Sequence, residues 1–120
     1  SDIISVNMPN NAATRGFFGR EKINAMKPGS ILINCARGPI IDNEALAEAL
    51  NSGRIAGAGI DVFDMEPPIP ADYPLVSAKN TVLMPHVGFL TKEAMVRRGD
   101  IEFDNVASWL KGSPENVCKY

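Results

Sequence analysis

Three side chains with catalytic chemistry stand just beyond β-prone runs. The segment Ile31-Leu32-Ile33-Asn34 suits a buried strand, and it stops abruptly at Cys35-Ala36-Arg37-Gly38. An arginine in that place is either a solvated loop residue or a planar fork for an anionic substrate. Glu66 lies shortly after a second run, Ile55 to Val62, and His86 follows a third, Thr81 to Met84. His86 is the one histidine of the chain, and imidazole is the side chain whose charge changes near neutral pH, which suits a proton step. Singly, each has a plainer reading. A strand-end histidine is usually structural, and Glu66, between Met65 and Pro67, reads as a solvated loop carboxylate.

Whether the three act together depends on the elements that carry them. Ile3-Ile4-Ser5-Val6 predicts a short strand, stopped by the turn-forming cluster Asn7-Met8-Pro9-Asn10-Asn11. Thr14 is a candidate cap for the next segment, and Arg20 to Met26 offers one or two helical turns ended by Lys27-Pro28-Gly29. Asp42 is placed to cap a helix over 43–51, whose Ala45, Leu46, Ala49 and Leu50 share one face before Ser52-Gly53 ends it. The strand at 55–62 is diluted by Gly57 and Gly59. Residues 64–80, with Pro67, Pro68, Pro70 and Pro74, read as an irregular loop. A long helix comes next, from about Lys92 to Lys111, with Val96, Gly99, Phe103, Val106 and Leu110 spaced three to four apart, Met95 and Trp109 beside them, and Gly112-Ser113-Pro114 as its stop.

Short strands alternating with helices predict an α/β fold around a parallel sheet. Ligands of such sheets bind beyond the carboxyl ends of the strands. Arg37, Glu66 and His86 all follow strand ends, so they are expected on one rim.

Composition narrows the partners. With 45% apolar and 22% charged residues the chain reads as an ordinary globular domain rather than a disordered one. A net charge of −2 with no basic stripe gives no reason to expect nucleic acid. No apolar run approaches the roughly 18 residues needed to span a bilayer, and no signal-peptide pattern opens the chain, so a reduced cytoplasmic setting is expected. Cys35 and Cys118 lack metal-type spacing, and with a single histidine no metal site is predicted. Gly57-Ala58-Gly59 begins like a dinucleotide fingerprint, but position 62 is Val and the triplet lies inside a strand. Those glycines are expected to admit close packing of a helix or cofactor.

The segments MKPGSILINCARGPIIDNEALAEAL, GRIAGAGIDVFDMEPP and NTVLMPHVG occur in this order. In them the chain resembles the C-terminal part of the D-isomer-specific 2-hydroxyacid dehydrogenases, over roughly residues 2 to 112. The resemblance implies a partial Rossmann-like, doubly wound parallel sheet of about four strands, with flanking helices and a long C-terminal helix. It places the catalytic arginine, glutamate and histidine on Arg37, Glu66 and His86. Arg37 would clamp the substrate carboxylate and polarise the C2 oxygen, His86 would move the hydroxyl proton, and Glu66 beside it would favour the imidazolium. The nicotinamide side of NAD or NADP would meet Asp61, the backbone around Cys35, Ala36 and Arg37, and that of His86, Val87 and Gly88. Pro9 would belong to a cofactor-side turn in which Asn7 stands where the family usually has histidine. Cys35 then reads as a small residue beside the cofactor rather than a nucleophile.

The sequence contains no G-x-G-x-x-G turn with a following ribose-binding acid. The resemblance therefore covers only the C-terminal half of a dinucleotide-binding domain, without the glycine-rich half or the substrate domain. This leads to three expectations. The chain alone binds the dinucleotide weakly or not at all, the strand at 3–6 has a bare edge, and the chain self-associates into a homo-oligomer. A small 2-hydroxy or 2-keto acid is the expected substrate of the longer enzyme. The rival reading is a truncated paralogue that binds or oligomerises without turnover.

Overall fold

The computed structural model describes residues 1–65 and 68–118. Two units, Ser1–Val87 and Gly88–Tyr120, are compact in themselves. In the first, four strands form one parallel sheet in the order β1 (Ile3–Val6), β2 (Ile31–Asn34), β3 (Gly57–Ile60) and β4 (Thr81–Leu83). Every neighbour in the sheet is also the neighbour in sequence, so each connection is a crossover, and such crossovers are right-handed almost without exception. Helix α1 (Arg20–Ala25) joins β1 to β2, and α2 (Asn43–Asn51) joins β2 to β3. Winding in one direction puts both on the same face, where they pack on each other.

The strand register divides the sheet into two sides. Ile4, Leu32, Ala58 and Thr81 form one row, and Val6, Asn34, Ile60 and Leu83 the next. These residues are buried or half-buried beneath the helices, with Leu32, Ile60 and Val6 at the core. The alternate rows point the other way: Ile3, Ile31 and Gly57, then Ser5, Ile33, Gly59 and Val82. Ile3, Ile31 and Val82 are exposed there. Among the described residues β1 pairs with β2 alone, and its other edge is bare.

The sequence places β1, β2 and α2 at their observed bounds. Asp42 caps α2 as expected, its carboxylate accepting the Ala45 N–H at 2.9 Å. Other expectations are corrected. Thr14 caps nothing; its hydroxyl donates to the Pro9 carbonyl at 2.6 Å in a turn, and α1 begins after Gly19 without a side-chain cap. β3 is shorter than 55–62 because its neighbours β2 and β4 offer it only four and three paired residues, and Ile55 and Val62 fill the core from the flanking loops. The passage from β3 to β4 is irregular where described, and there Tyr73, Leu75 and Ala78 bury themselves as a helix face would.

The second unit is dominated by α3 (Lys92–Leu110), capped by Thr91, whose hydroxyl accepts the Ala94 N–H. None of its residues is buried. The stripe of Val96, Phe103, Val106 and Leu110 is exposed, with Met95 and Trp109 alongside.

Candidate active site

The rim is assembled by backbone chemistry at the carboxyl ends of β2, β3 and β4. Asn34, the last residue of β2, is fully buried between Val6 and Ile60 in its row. An unpaired amide there would be costly. Its Oδ1 accepts the Ala36 N–H and its Nδ2 donates to the Arg37 carbonyl, both at 3.1 Å. The turn at Cys35-Ala36-Arg37 is thus wrapped around one side chain. Arg37 is exposed at its outer end, with Nη1 donating to the Ala36 carbonyl at 2.6 Å.

Gly38, next in line, has no alternative residue. A Cβ built there would lie 1.9 Å from the Phe63 carbonyl carbon and 2.0 Å from its oxygen. That contact presses the Arg37 loop onto the loop leaving β3. Beyond it, the Tyr73 hydroxyl donates to Asp64 at 2.7 Å, and the Tyr73 ring stands edge-on to Phe63, with centroids 5.7 Å apart. Burial, and next the hydrogen bond to Asp64, push the Tyr73 phenol well above its ordinary range.

Asp61 follows β3 and is buried, with its backbone N–H on the Asn34 carbonyl at 3.0 Å. Its Oδ1 accepts the Val87 N–H at 2.7 Å, holding the loop that leaves β4. His86, one residue earlier, has φ +60°. Left-handed backbone is unfavourable for a residue with a Cβ, and such strain collects at functional positions. The Asp61 bond to the adjacent peptide helps to hold it. His86 itself is exposed to the rim.

Two hollows meet at this rim. The larger, about 550 Å³, is lined by Arg37 and His86 together with Val62, Phe63, Met65, Ile69, Leu83 and Met84. It is an apolar cleft with a guanidinium and an imidazole at its border. The second, about 520 Å³, is lined by Asn7, Met8, Pro9, Cys35, Ala36 and Arg37. Asn10 and Arg37 belong to both. The loop after β1 is brought there by a parallel bridge between Phe18 and Ile41.

The predicted site residues fall in several places. Arg37 and His86 share the first hollow, and Pro9, Cys35, Ala36 and Arg37 share the second. Asp61 is buried behind the rim, and Gly88 is the first residue of the second unit. Glu66 lies outside the described residues. Gly59 is not needed for close packing within this chain: a Cβ there would meet only Ile33, at ordinary contact distance, whereas one at Gly57 would crowd the Asn80 carbonyl at 3.1 Å. Cys35 and Cys118 are exposed free thiols. Among the described residues no cluster of three or more histidine, cysteine or acidic side chains suits a metal ion, and no helix is long and apolar enough to cross a membrane. Sequence reasoning passed over Asn34, Gly38 and Tyr73. A buried-strand pattern ending in Asn, with a glycine just after the arginine, was the available signal for the first two.

Comparison with known proteins bears on the family and the fold. The family model for the D-isomer specific 2-hydroxyacid dehydrogenase, NAD binding domain, matches residues 1–88. A hydroxypyruvate reductase of Blautia hydrogenotrophica is 44% identical over 117 residues, which cover 98% of this chain and 36% of the relative. The chain thus spans about a third of the length of the curated relatives it matches. A D-lactate dehydrogenase of Treponema pallidum superposes with a TM-score of 0.89 at 31% identity, covering 100% of this chain and 40% of that one. The NAD-complexed D-isomer specific 2-hydroxyacid dehydrogenase of Lactobacillus delbrueckii gives 0.85 at 32% identity, covering 99% and 40%. The four-stranded parallel sheet is accordingly of Rossmann type, and the chain belongs to the D-isomer specific 2-hydroxyacid dehydrogenase family, whose NAD binding domain model its residues 1–88 match.

Proposed function

We propose that this chain is the catalytic half of the dinucleotide domain of an enzyme that interconverts a D-2-hydroxy acid and a 2-keto acid with NAD(H) or NADP(H). The observation that carries this reading is that Arg37 and His86, 49 positions apart in sequence, border one apolar cleft at the strand ends. Arg37 offers two parallel N–H donors to a substrate carboxylate and polarises the neighbouring C2 oxygen. His86 takes the C2 hydroxyl proton during oxidation and returns it during reduction. Glu66 is assigned to favouring the imidazolium, on its place in the sequence.

The second hollow suits one end of the cofactor. Its walls are the backbone and small side chains of Pro9, Cys35 and Ala36, and the buried Asp61 stiffens the rim beside it. A nicotinamide held there supplies the hydride acceptor or donor. The sequence offers no glycine-rich turn for the pyrophosphate, so the chain alone binds the dinucleotide weakly. The bare edge of β1 and the open sheet side favour pairing with a second copy, which light scattering at high concentration reads directly.

The decisive experiment uses the protein with whatever coding sequence lies upstream of Ser1. NADH- and NADPH-dependent reduction of small 2-keto acids should be measured for it and for Arg37→Gln and His86→Gln. Loss of about 100-fold or more in kcat/KM for each supports the assignment. Full turnover in either variant overturns it. A start codon immediately before the Ser1 codon, together with no reductase activity, favours the rival reading as a non-catalytic module.

A further inference from the structure

We propose that Asn34 is a positioning residue, whose buried carboxamide fixes the Cys35-Ala36-Arg37 turn and thereby the place of the Arg37 guanidinium on the rim. The inference rests on reading Arg37 as the carboxylate clamp. It adds the part that makes an exposed arginine a defined binding element.

Asn34 is fully buried, in a row otherwise filled by Val6, Ile60 and Leu83. A strand in that row has no need of a polar side chain, and an amide is tolerated there only because both of its ends are satisfied. Both partners lie in the turn: the Ala36 N–H on Oδ1 and the Arg37 carbonyl on Nδ2. The Ala36 residue is then held from two sides, since its carbonyl accepts Arg37 Nη1 at 2.6 Å. Ala36 is the relay between the buried amide and the guanidinium. The Asn34 backbone carbonyl meanwhile accepts the Asp61 N–H, and Asp61 holds the peptide next to His86. One residue thus ties the Arg37 turn to the strand end that braces the opposite wall.

The demand is for one acceptor and one donor a carboxamide's width apart. Ionised aspartate supplies two acceptors, and one of them would face the Arg37 carbonyl. Protonated aspartic acid supplies one of each. Burial raises the pKa of such a carboxyl, so Asn34→Asp should behave as wild type in acid and fail as it ionises. A residue that merely filled space would show no such pH profile.

The test uses the 120-residue chain and Asn34→Asp, with NMR from about pH 5 to about pH 8. Wild type should keep a protected Ala36 amide and unchanged turn shifts throughout. The variant should match it at the acid end. Toward the alkaline end its Arg37 and Gly38 backbone shifts should depart from the wild-type values and its affinity for oxalate, a two-carbon stand-in for a keto acid, should fall about tenfold. Asn34→Leu, which deletes both bonds, should show the alkaline behaviour at every pH. Identical turn spectra in wild type and Asn34→Asp across the range would overturn the proposal. Wild type in which oxalate moves no Arg37 signal would count against the carboxylate reading instead, while the pH-dependent turn would still establish what Asn34 does.

Discussion

The two sides of the sheet are built from the same four strands and could hardly be treated more differently. On one side Leu32, Ala58, Val6 and Ile60 are sealed under α1 and α2, and even the polar Asn34 is satisfied. On the other, Ile3, Ile31 and Val82 are exposed around the bare backbone of Gly57 and Gly59. Parallel sheets are normally covered on both faces. In the first unit one layer of helices supports the rim, while the residues on the other side of the sheet are exposed. The covered half is the one that anchors the Arg37 turn, through Asn34.

The strongest way to break the closed side is at Gly38. Replacing it with alanine drives a Cβ into the Phe63 backbone, at 1.9 Å. Neither partner is the flexible end of a side chain, so a loop must shift. Gly38→Ala should destabilise the chain by several kcal/mol, on the order of 3, measured by urea unfolding. A loss under about 0.5 kcal/mol would mean that the two loops are not pressed together.

A paired substitution sharpens the contrast between the faces. Leu32→Ala removes a fully buried side chain and should cost about 2–5 kcal/mol. Val82→Ala, on the open side where Val82 is 64% exposed, should cost under about 1 kcal/mol. Equal losses would mean that the open side is covered in solution.

The smallest expected effect is at Tyr73. Tyr73→Phe deletes the bond to Asp64 and should cost about 1 kcal/mol at neutral pH. Because the folded phenol is raised above its ordinary value, chiefly by burial, its contribution is complete below about pH 10 and is lost as the pH rises beyond it. Wild type should lose stability in that alkaline range and Tyr73→Phe should lose less. Parallel alkaline losses would contradict the assignment.

How much of the molecule was legible in the residues depends on the range of each signal. The strands at 3–6 and 31–34 and the helix at 43–51 were readable because short apolar runs, apolar spacing and an aspartate cap are local signals. β3 was over-read because its length is set by its partners across the sheet, and Thr14 was misread because its partner is the Pro9 carbonyl rather than a helix. Arg37 and His86 stood out by type and by place after strands. The contacts that fix the rim did not: Gly38 against Phe63 and Asp64 with Tyr73 join residues whose pairing only the folded loops reveal. The apolar stripe of α3 was plain in the sequence, and with only part of a family member matched it was expected to be exposed, as it is.

The central claim is that a guanidinium and an imidazole from different strand ends serve one small acid. Titrating the chain with oxalate while following the Arg37 Nε–H and the His86 ring signals by NMR tests it directly. The account predicts that both sets move together along one binding curve, and that Arg37→Gln abolishes the His86 response. Independent curves, or a His86 response that survives Arg37→Gln unchanged, would contradict it.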